Sequence, residues 1–310
     1  MIVCCGEALI DMLPARTDTG AEAFVPHCGG AVFNTAVALG RLDIEAALLT
    51  GLSRDFWGEM LRDGLRKSRV DTRFAVVSDR PTTLAFVQLR DGQASYSFHD
   101  EHSAGRGITA QDLPDIPDRV DTLFFGGISL CNPPFCDSLV ALAEREAGKR
   151  TIMVDPNIRP GFVSDAERYR ERVMRLIAVA DLIKVSDEDL AWLLPDLPDD
   201  LTRAQALLKA GPALVLLTRG SAGATALRAD TAPVSAAARK VAVVDTVGAG
   251  DTFNAGFLAK AQALGLLDRH RLQTASEDDL KSCLSFAAQA AAVTVSRAGA
   301  NPPWANELTD

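Results

Sequence analysis

The chain has 310 residues, 47% of them apolar and 24% charged, which suits one large α/β domain or two smaller ones and is enough to bury a sizeable core. Its formal net charge of -9 argues against nucleic acid as a partner, and an anionic substrate would need a locally basic pocket. Six cysteines without a Cys-x-x-Cys pair or zinc spacing, no basic segment before the first strand and no apolar run long enough to span a bilayer point to a reduced, cytoplasmic protein without membrane contact.

In chain order, the apolar residues 2–5 predict a first strand ending at Gly6-Glu7, which residues 8–13 continue as far as Pro14. Asp11 follows that apolar run. It is either an ordinary strand-end carboxylate or one that binds a hydroxyl, because sites in open α/β sheets lie beyond the carboxyl ends of the strands. A polar stretch then leads to Gly29-Gly30 and a helix carrying Asn34. The glycines let a ligand approach the backbone closely, and the amide both donates and accepts hydrogen bonds. His27 reads as a surface or packing residue. Residues 46–51 predict another strand and 57–66 a helix.

The texture then changes. Residues 72–77, 83–90 and 95–99 are short β-like runs, with Asp91-Gly92 as a hairpin turn. Segments of approximately 11–33 and 72–105 are expected to form a small β lid. Tyr96 and Phe98 share a face by alternation and suit a lid core, a dimer face or a wall on which a sugar stacks. An exposed β edge is a pairing site, so a homodimer through the lid is expected.

From Val120 onward strands and helices alternate, with strands at 121–125, 151–154, 182–185 and 213–218 and helices at 135–147, 166–178 and from about 204. This predicts an α/β fold with a doubly wound, mainly parallel sheet flanked by helices, as one domain over residues 1–310. Arg159 follows a strand end at Asp155-Pro156-Asn157, where its fork suits a phosphate or a surface ion pair. Further on, the β-branched run at 241–245 reads as a buried strand. It passes through Gly248-Ala249-Gly250 into a helix from Asp251 to about Leu264. The unpaired N–H groups and partial positive charge of that first turn favour an anion. Asp251 is then either an N-cap or a base that takes the proton of a nucleophile facing a phosphate. No Walker loop is present, and Phe253 stands where a dinucleotide fingerprint needs its third glycine, which argues against a nicotinamide dehydrogenase.

The stretch from Asp245 to Phe253 resembles the C-terminal signature of the ribokinase-like (PfkB) carbohydrate kinases, close to D-T-x-G-A-G-D-x-F. Gly29-Gly30 with Asn34 resembles the family's Gly-Gly-x-x-x-Asn, residues 51–59 its G-x-x-D-x-x-G segment, and residues 218–223 its T-x-G-x-x-G nucleotide loop. Asp-Pro-Asn-x-Arg at 155–159 resembles the fructokinase branch. The family's N-x-x-E position holds Ser186 and Asp189, so the sequence departs from it twice.

This resemblance covers essentially the whole chain. It implies that Asp251 is the catalytic base and that the amides of Gly248, Ala249 and Gly250, with Arg159, stabilise the phosphoryl group. It places Asp11, Gly29, Gly30, Asn34, Phe98 and Arg159 at the sugar. It places Lys184, Ser186, Thr218, Gly220, Gly223, Gly248, Gly250 and Ala288 at the nucleotide. Asp189 would hold magnesium through water, and Asp245 and Val247, with the carbonyls of 297–300, potassium. The implied reaction is transfer of the γ-phosphoryl group of ATP to a free sugar, with fructose the first expectation. 2-Keto-3-deoxygluconate is the alternative, needing a cation such as Arg90, Arg106 or Arg159, and ribose or a nucleoside comes after it. A non-catalytic sugar-binding protein on a kinase scaffold is the competing class.

Overall fold

The computed structural model describes residues 1–90 and 93–308; the expected Asp91-Gly92 turn and the side chain of Tyr96 lie outside the described residues. Strand β1 (Ile2–Cys5) is buried throughout, as an unbroken apolar run in a two-sided sheet must be. The chain then forms the antiparallel pair β2 (Leu9–Arg16) and β3 (Glu22–Gly29) and enters α1 (Ala31–Arg41). After β4 (Ala46–Leu49) and β5 (Gly51–Ser53), Asp55 caps α2 (Phe56–Lys67) by accepting from Gly58 N at 2.8 Å. Four short strands follow: β6 (Val70–Asp71), β7 (Val76–Ser78), β8 (Leu84–Arg90) and β9 (Gln93–His99).

The second half alternates as the sequence predicts: β10 (Thr122–Gly126), α3 (Phe135–Glu146), β11 (Thr151–Asp155), α4 (Ala166–Val179) and β12 (Leu182–Ser186). Then come α5 (Asp187–Leu193), α6 (Asp200–Ala210), β13 (Leu214–Thr218), β14 (Ala224–Leu227) and β15 (Val234–Ala236). Three helices complete the chain: α7 (Ala249–Ala263), α8 (Arg269–Thr274) and α9 (Glu277–Val295).

The large sheet has the order β15-β14-β13-β12-β11-β10-β1-β4-β6, parallel except at β14 and β15. The chain moves outward from β1 through β4 to β6, then returns to lay β10 on the other side of β1. That reversal opens a crevice at the carboxyl ends of β1 and β10. Alternation along the strands separates two cores. Ile2, Leu48 and Met153 face α1, α7 and α9 on one side, while Val3, Leu49 and Val154 face α3, α4 and α6 on the other. Cys4 and Cys5 go to opposite cores, and all six cysteines are free.

A smaller sheet, β3-β2-β8-β9, stands apart from the large one. Residues 72–77, expected in that sheet, do not join it. Val76–Ser78 pairs in parallel with Gly51–Ser53 as a separate ribbon instead. The expected buried strand at 241–245 is also absent. The large sheet ends at β15, and the segment crosses to the end of α9, where Val244 N donates to Val295 O at 2.8 Å. With no strand beside it, Val243 is 64% and Val244 63% exposed. β-propensity describes fit to a pleated surface, and here none is offered.

Helix α7 lies against α9 through Gly256, where an added Cβ would come 2.8 Å from Ala287 Cα. Two helix backbones meet there without an intervening side chain. Gly256→Val is expected to lower the unfolding free energy by about 1–3 kcal/mol by overpacking. Urea denaturation checks this; an unchanged midpoint would mean that the helices part at no cost.

Candidate active site

At the carboxyl ends of the parallel strands lies a cavity of about 480 Å3, walled by Glu7 after β1, Gly127 after β10, Asn157 after β11, Ser186 ending β12 and Thr218 ending β13. The N-terminus of α7 points into it. Gly248 caps that helix in the left-handed region (φ 78, ψ 2), and a Cβ there would sit 2.8 Å from Ala300 Cβ, so only glycine fits. Gly248, Ala249 and Gly250 all line the cavity; the helix itself supplies no acceptor for their N–H groups, and that of Ala249 turns back to Thr246 O at 3.3 Å.

Asp251 is the third residue of α7, not its cap, and is 7% exposed. Its carboxylate accepts from two amide side chains: Asn34 Nδ2 reaches Oδ2 at 2.9 Å, and Asn157 Nδ2 approaches Oδ1 at 3.5 Å. Asn157 does this from a left-handed backbone (φ 43) just after β11. Burial pushes the Asp251 carboxyl up to about 7; Asn34 opposes this, Asp155 adds to it and Lys184 opposes it. A carboxyl poised there can take up a proton near neutrality.

Beneath it sits a buried network. Asp155 Oδ2 accepts from Asn254 Nδ2 at 2.7 Å and from Lys184 Nζ at 3.1 Å. Burial works against the Lys184 ammonium, but Asp155 and Asp189 outweigh it and hold its pKa above the ordinary value. A Cβ on Gly250 would lie 3.3 Å from Nζ, so a full positive charge backs the N-terminus of α7.

On the other flank, Asp11 lies in β2 and lines the cavity. Burial, reinforced by Glu7, raises its pKa to about 6. Gly29 leaves room for that carboxylate, since a Cβ would overlap Asp11 Oδ2; Gly30 (φ 103) begins α1 against Glu7. Phe98 projects from β9 into the same cavity and packs edge-on to Phe162 at 4.2 Å. Arg159 lines it too, exposed, with Nη1 donating to Ile158 O at 3.1 Å.

Other expected residues fall differently. Asp189 is occupied by backbone: Oδ2 accepts from Ser186 N and Oγ at 2.9 and 2.8 Å, closing a capping box, and Oδ1 accepts from Ile158 N at 2.8 Å. Asp245 is a tie between loops, accepting from Val247 N at 3.0 Å and from Gly299 N at 2.9 Å. Gly220 and Gly223 do not line the cavity, and a Cβ on Gly223 would collide with Ala236 O. Ala288 is half-buried on α9, also outside the lining. Arg106 is engaged with Asp100 at 3.7 Å and Pro133 O at 3.2 Å, away from the cavity, and the Arg90 side chain lies outside the described residues.

Two lining carboxylates escaped sequence reasoning. Glu7 joins three elements: Oε2 accepts from Ser129 N and Oγ at 3.1 and 2.7 Å, Oε1 accepts from Val32 N at 3.4 Å, and its carbonyl accepts from Phe33 N at 3.2 Å. Its signal was a charge placed directly after a fully buried strand. Glu188, exposed at the mouth beside Asp189, had no signal beyond its neighbourhood. Among the described residues no three His, Cys, Asp or Glu side chains converge as a metal cluster, and no helix is long and apolar enough to cross a membrane.

Comparison with known proteins agrees with this architecture. The description "pfkB family carbohydrate kinase" matches residues 1–307, and the chain belongs to that family. It is 46% identical to a fructokinase of Rhizobium leguminosarum bv. trifolii over 282 residues, 91% of this chain and 86% of that one. Probable fructokinase-6 of Arabidopsis thaliana is 33% identical over 97% of this chain and 79% of its own length. The crystal structure of a Xylella fastidiosa fructokinase with bound ATP superposes with a TM-score of 0.88 at 29% identity, covering 96% of this chain and 93% of that one.

The raised pKa of Asp251 fixes the sign of a pH dependence. If its carboxylate accepts a proton during turnover, activity is lost as pH falls through about 7, whereas an ordinary Asp would hold activity down to about 4. The expected acid limb of kcat/KM begins near 7, where Asp251 titrates, and steepens near 6 as Asp11 follows, checked with a constant-ionic-strength buffer series. A limb near 4 would remove Asp251 from that role.

Proposed function

We propose that this protein transfers the γ-phosphoryl group of ATP to a primary hydroxyl of fructose. The observation that carries the proposal is Asp251, a buried carboxylate on the first turn of α7 beside the Gly248-Ala249-Gly250 amides, held by Asn34 and Asn157. The names of the relatives support the sugar, and the absence of Arg106 from the cavity weighs against a sugar acid. Arg159 does line it, so 2-keto-3-deoxygluconate remains the second reading.

In this proposal Asp11, Asn34 and Gly30 orient the sugar hydroxyls, with Phe98 closing over them, and Gly29 makes room for Asp11. The hydroxyl oxygen attacks the γ-phosphorus, its proton passes to Asp251, and the bond to the bridging oxygen of the leaving ADP breaks. Charge developing on the transferred group meets the amides of Gly248, Ala249 and Gly250, backed by Lys184, and the guanidinium of Arg159. Ser186 and Thr218 border the nucleotide, with the Gly220–Gly223 loop and Ala288 further along it.

Magnesium supplies neutralisation of the phosphate oxygens. Glu188, open at the mouth, would hold it through water, and Asp189 would do so only with oxygens that already accept from Ile158 N and Ser186. The Asp245 and Val247 loop, tied to Gly299, is the proposed seat of a monovalent cation.

The test combines substrate and base. A coupled ADP-release assay is expected to give fructose the highest kcat/KM among fructose, ribose, 2-keto-3-deoxygluconate and adenosine. Asp251→Asn should lower kcat by about a hundredfold or more, since general-base assistance is worth ~10²–10⁴, with sugar affinity within about tenfold. Near-normal turnover with a lowered melting temperature would reduce Asp251 to a structural residue. We also propose a homodimer through the smaller sheet, whose edge strand β3 leaves Phe24 43% and Val25 44% exposed. Sedimentation should show a dimer at micromolar concentration, with Val25→Asp shifting it to monomer; a monomeric wild type would refute this.

A further inference from the structure

The loop that follows α9 has a second neighbour. A cavity of about 810 Å3, separate from the one at Asp251, is lined by Arg41, Arg69, Arg297 and Trp304, with Asp43 and Glu307 at its sides. The proposed reaction uses no side chain among these residues.

Among the described residues three guanidiniums meet two carboxylates there. Arg69 pairs with Asp43, and Arg297 Nη2 with Glu307 Oε1 at 2.5 Å. Arg41 has no carboxylate partner among the described residues. Its Nη1 donates to Asn301 Oδ1 at 2.7 Å and Pro302 O at 2.8 Å, and its Nε to Ser68 Oγ at 3.3 Å, all uncharged acceptors. Its charge is thus half-buried with no carboxylate in ion-pair contact among the described residues. Burial, and next the like charge of Arg297, hold its pKa below the ordinary value, while Glu307 opposes them.

The ring of Trp304 orders this wall. Arg41 lies over it at 5.3 Å and Arg69 at 5.2 Å, so the indole holds both guanidiniums at the wall; the Nη2 of Arg41, which makes no hydrogen bond among the described residues, is the donor open to an anion. The backbone supports the same point. Asp43 (φ 59) and Arg69 (φ 60) adopt the left-handed region just beyond α1 and α2, positions that normally take glycine or asparagine. Charged side chains stand at both, on the rim of one cavity.

We propose that this cavity binds a phosphoryl dianion, with Arg41 as its principal charge partner and Arg69 and Arg297 flanking it. Phosphoryl oxygens match the two-pronged geometry of guanidinium edges, and the excess of arginines over carboxylates in the lining favours an anion there. Inorganic phosphate and a sugar phosphate carry the same group. The site adjoins the anion hole through one loop: Arg41 holds Asn301 and Pro302, and Ala300 packs on Gly248. The proposal does not depend on which sugar is phosphorylated.

The bland alternative is a clamp, in which the arginines merely pin the C-terminal segment to the ends of α1 and α2. Trp304 separates the two, because no tryptophan lines the cavity at Asp251. Inorganic phosphate and fructose 6-phosphate are titrated separately into the full-length protein, with tryptophan emission and calorimetry as readouts and chloride at matched ionic strength as the control. Both readouts should saturate together. Trp304→Phe should abolish the emission change while phosphate still binds. Arg41→Gln should weaken binding at least about tenfold, the loss expected for a charged hydrogen-bond partner. Exposed Arg69→Gln carries the test if the first variant fails to fold; it should weaken binding and leave basal turnover unchanged. Tighter binding of one probe identifies the natural source. No saturable emission change, or affinities unaltered in the arginine variants despite a lower melting temperature, would overturn the proposal in favour of the clamp.

Discussion

One hydrogen bond joins the two halves of the cavity: Asn34 Nδ2 to Asp251 Oδ2, between side chains 217 residues apart. Asn34 rides on the first turn of α1, which Gly30 caps beside the smaller sheet. Asp251 rides on the first turn of α7, where Gly248 and Gly250 bare the amides. The bond exists because α1 and α7 pack side by side over the same face of the large sheet, with α9 behind α7 at Gly256. A second contact, Thr35 Oγ1 to Asp251 O at 3.3 Å, repeats the tie through the backbone. Any shift of one helix on the other would separate the groups proposed to orient the sugar from the group proposed to take its proton.

Charge is the second constraint. Glu7, Asp11, Asp155 and Asp251 crowd one end of the crevice, and burial disfavours ionising all of them. Lys184 is the one buried ammonium among them, fixed by Asp155 rather than by Asp251. The arrangement leaves Asp251 basic enough to accept a proton while keeping positive charge behind Gly250, where a phosphoryl group would arrive.

The loops around α7 show how little of this depends on regular structure. The segment before the helix is irregular and exposed, yet Asp245 ties it to Gly299. The loop of residues 297–302 in turn touches Gly248 on one side and Arg41 on the other. Gly248 is thus held by side chains and amides from the end of the chain, not by a neighbouring strand.

What the sequence determined by itself was whatever is encoded locally. Alternating apolar runs and polar helices specified the parallel sheet, and glycines before an alanine-rich helix marked the turn at Gly248 that opens α7. Asp251, Asp11, Asn34, Phe98 and Arg159 were all legible as candidates and do meet in one cavity. Tertiary structure decided the remainder, because it depends on partners far along the chain. It turned the β-branched run at 241–245 into an exposed crossing that leaves the sheet edge at β15 and ties to the end of α9 through Val295. It committed both oxygens of Asp189 to backbone amides and the Ser186 hydroxyl, left Glu188 open at the mouth, and made Glu7 a junction of three elements. It also gathered Arg41, Arg69 and Arg297 from distant helix ends around Trp304. Periodicity and glycines report what a chain does with its next few residues; which carboxylate is buried, and beside which cation, is settled only when helices and strands pack.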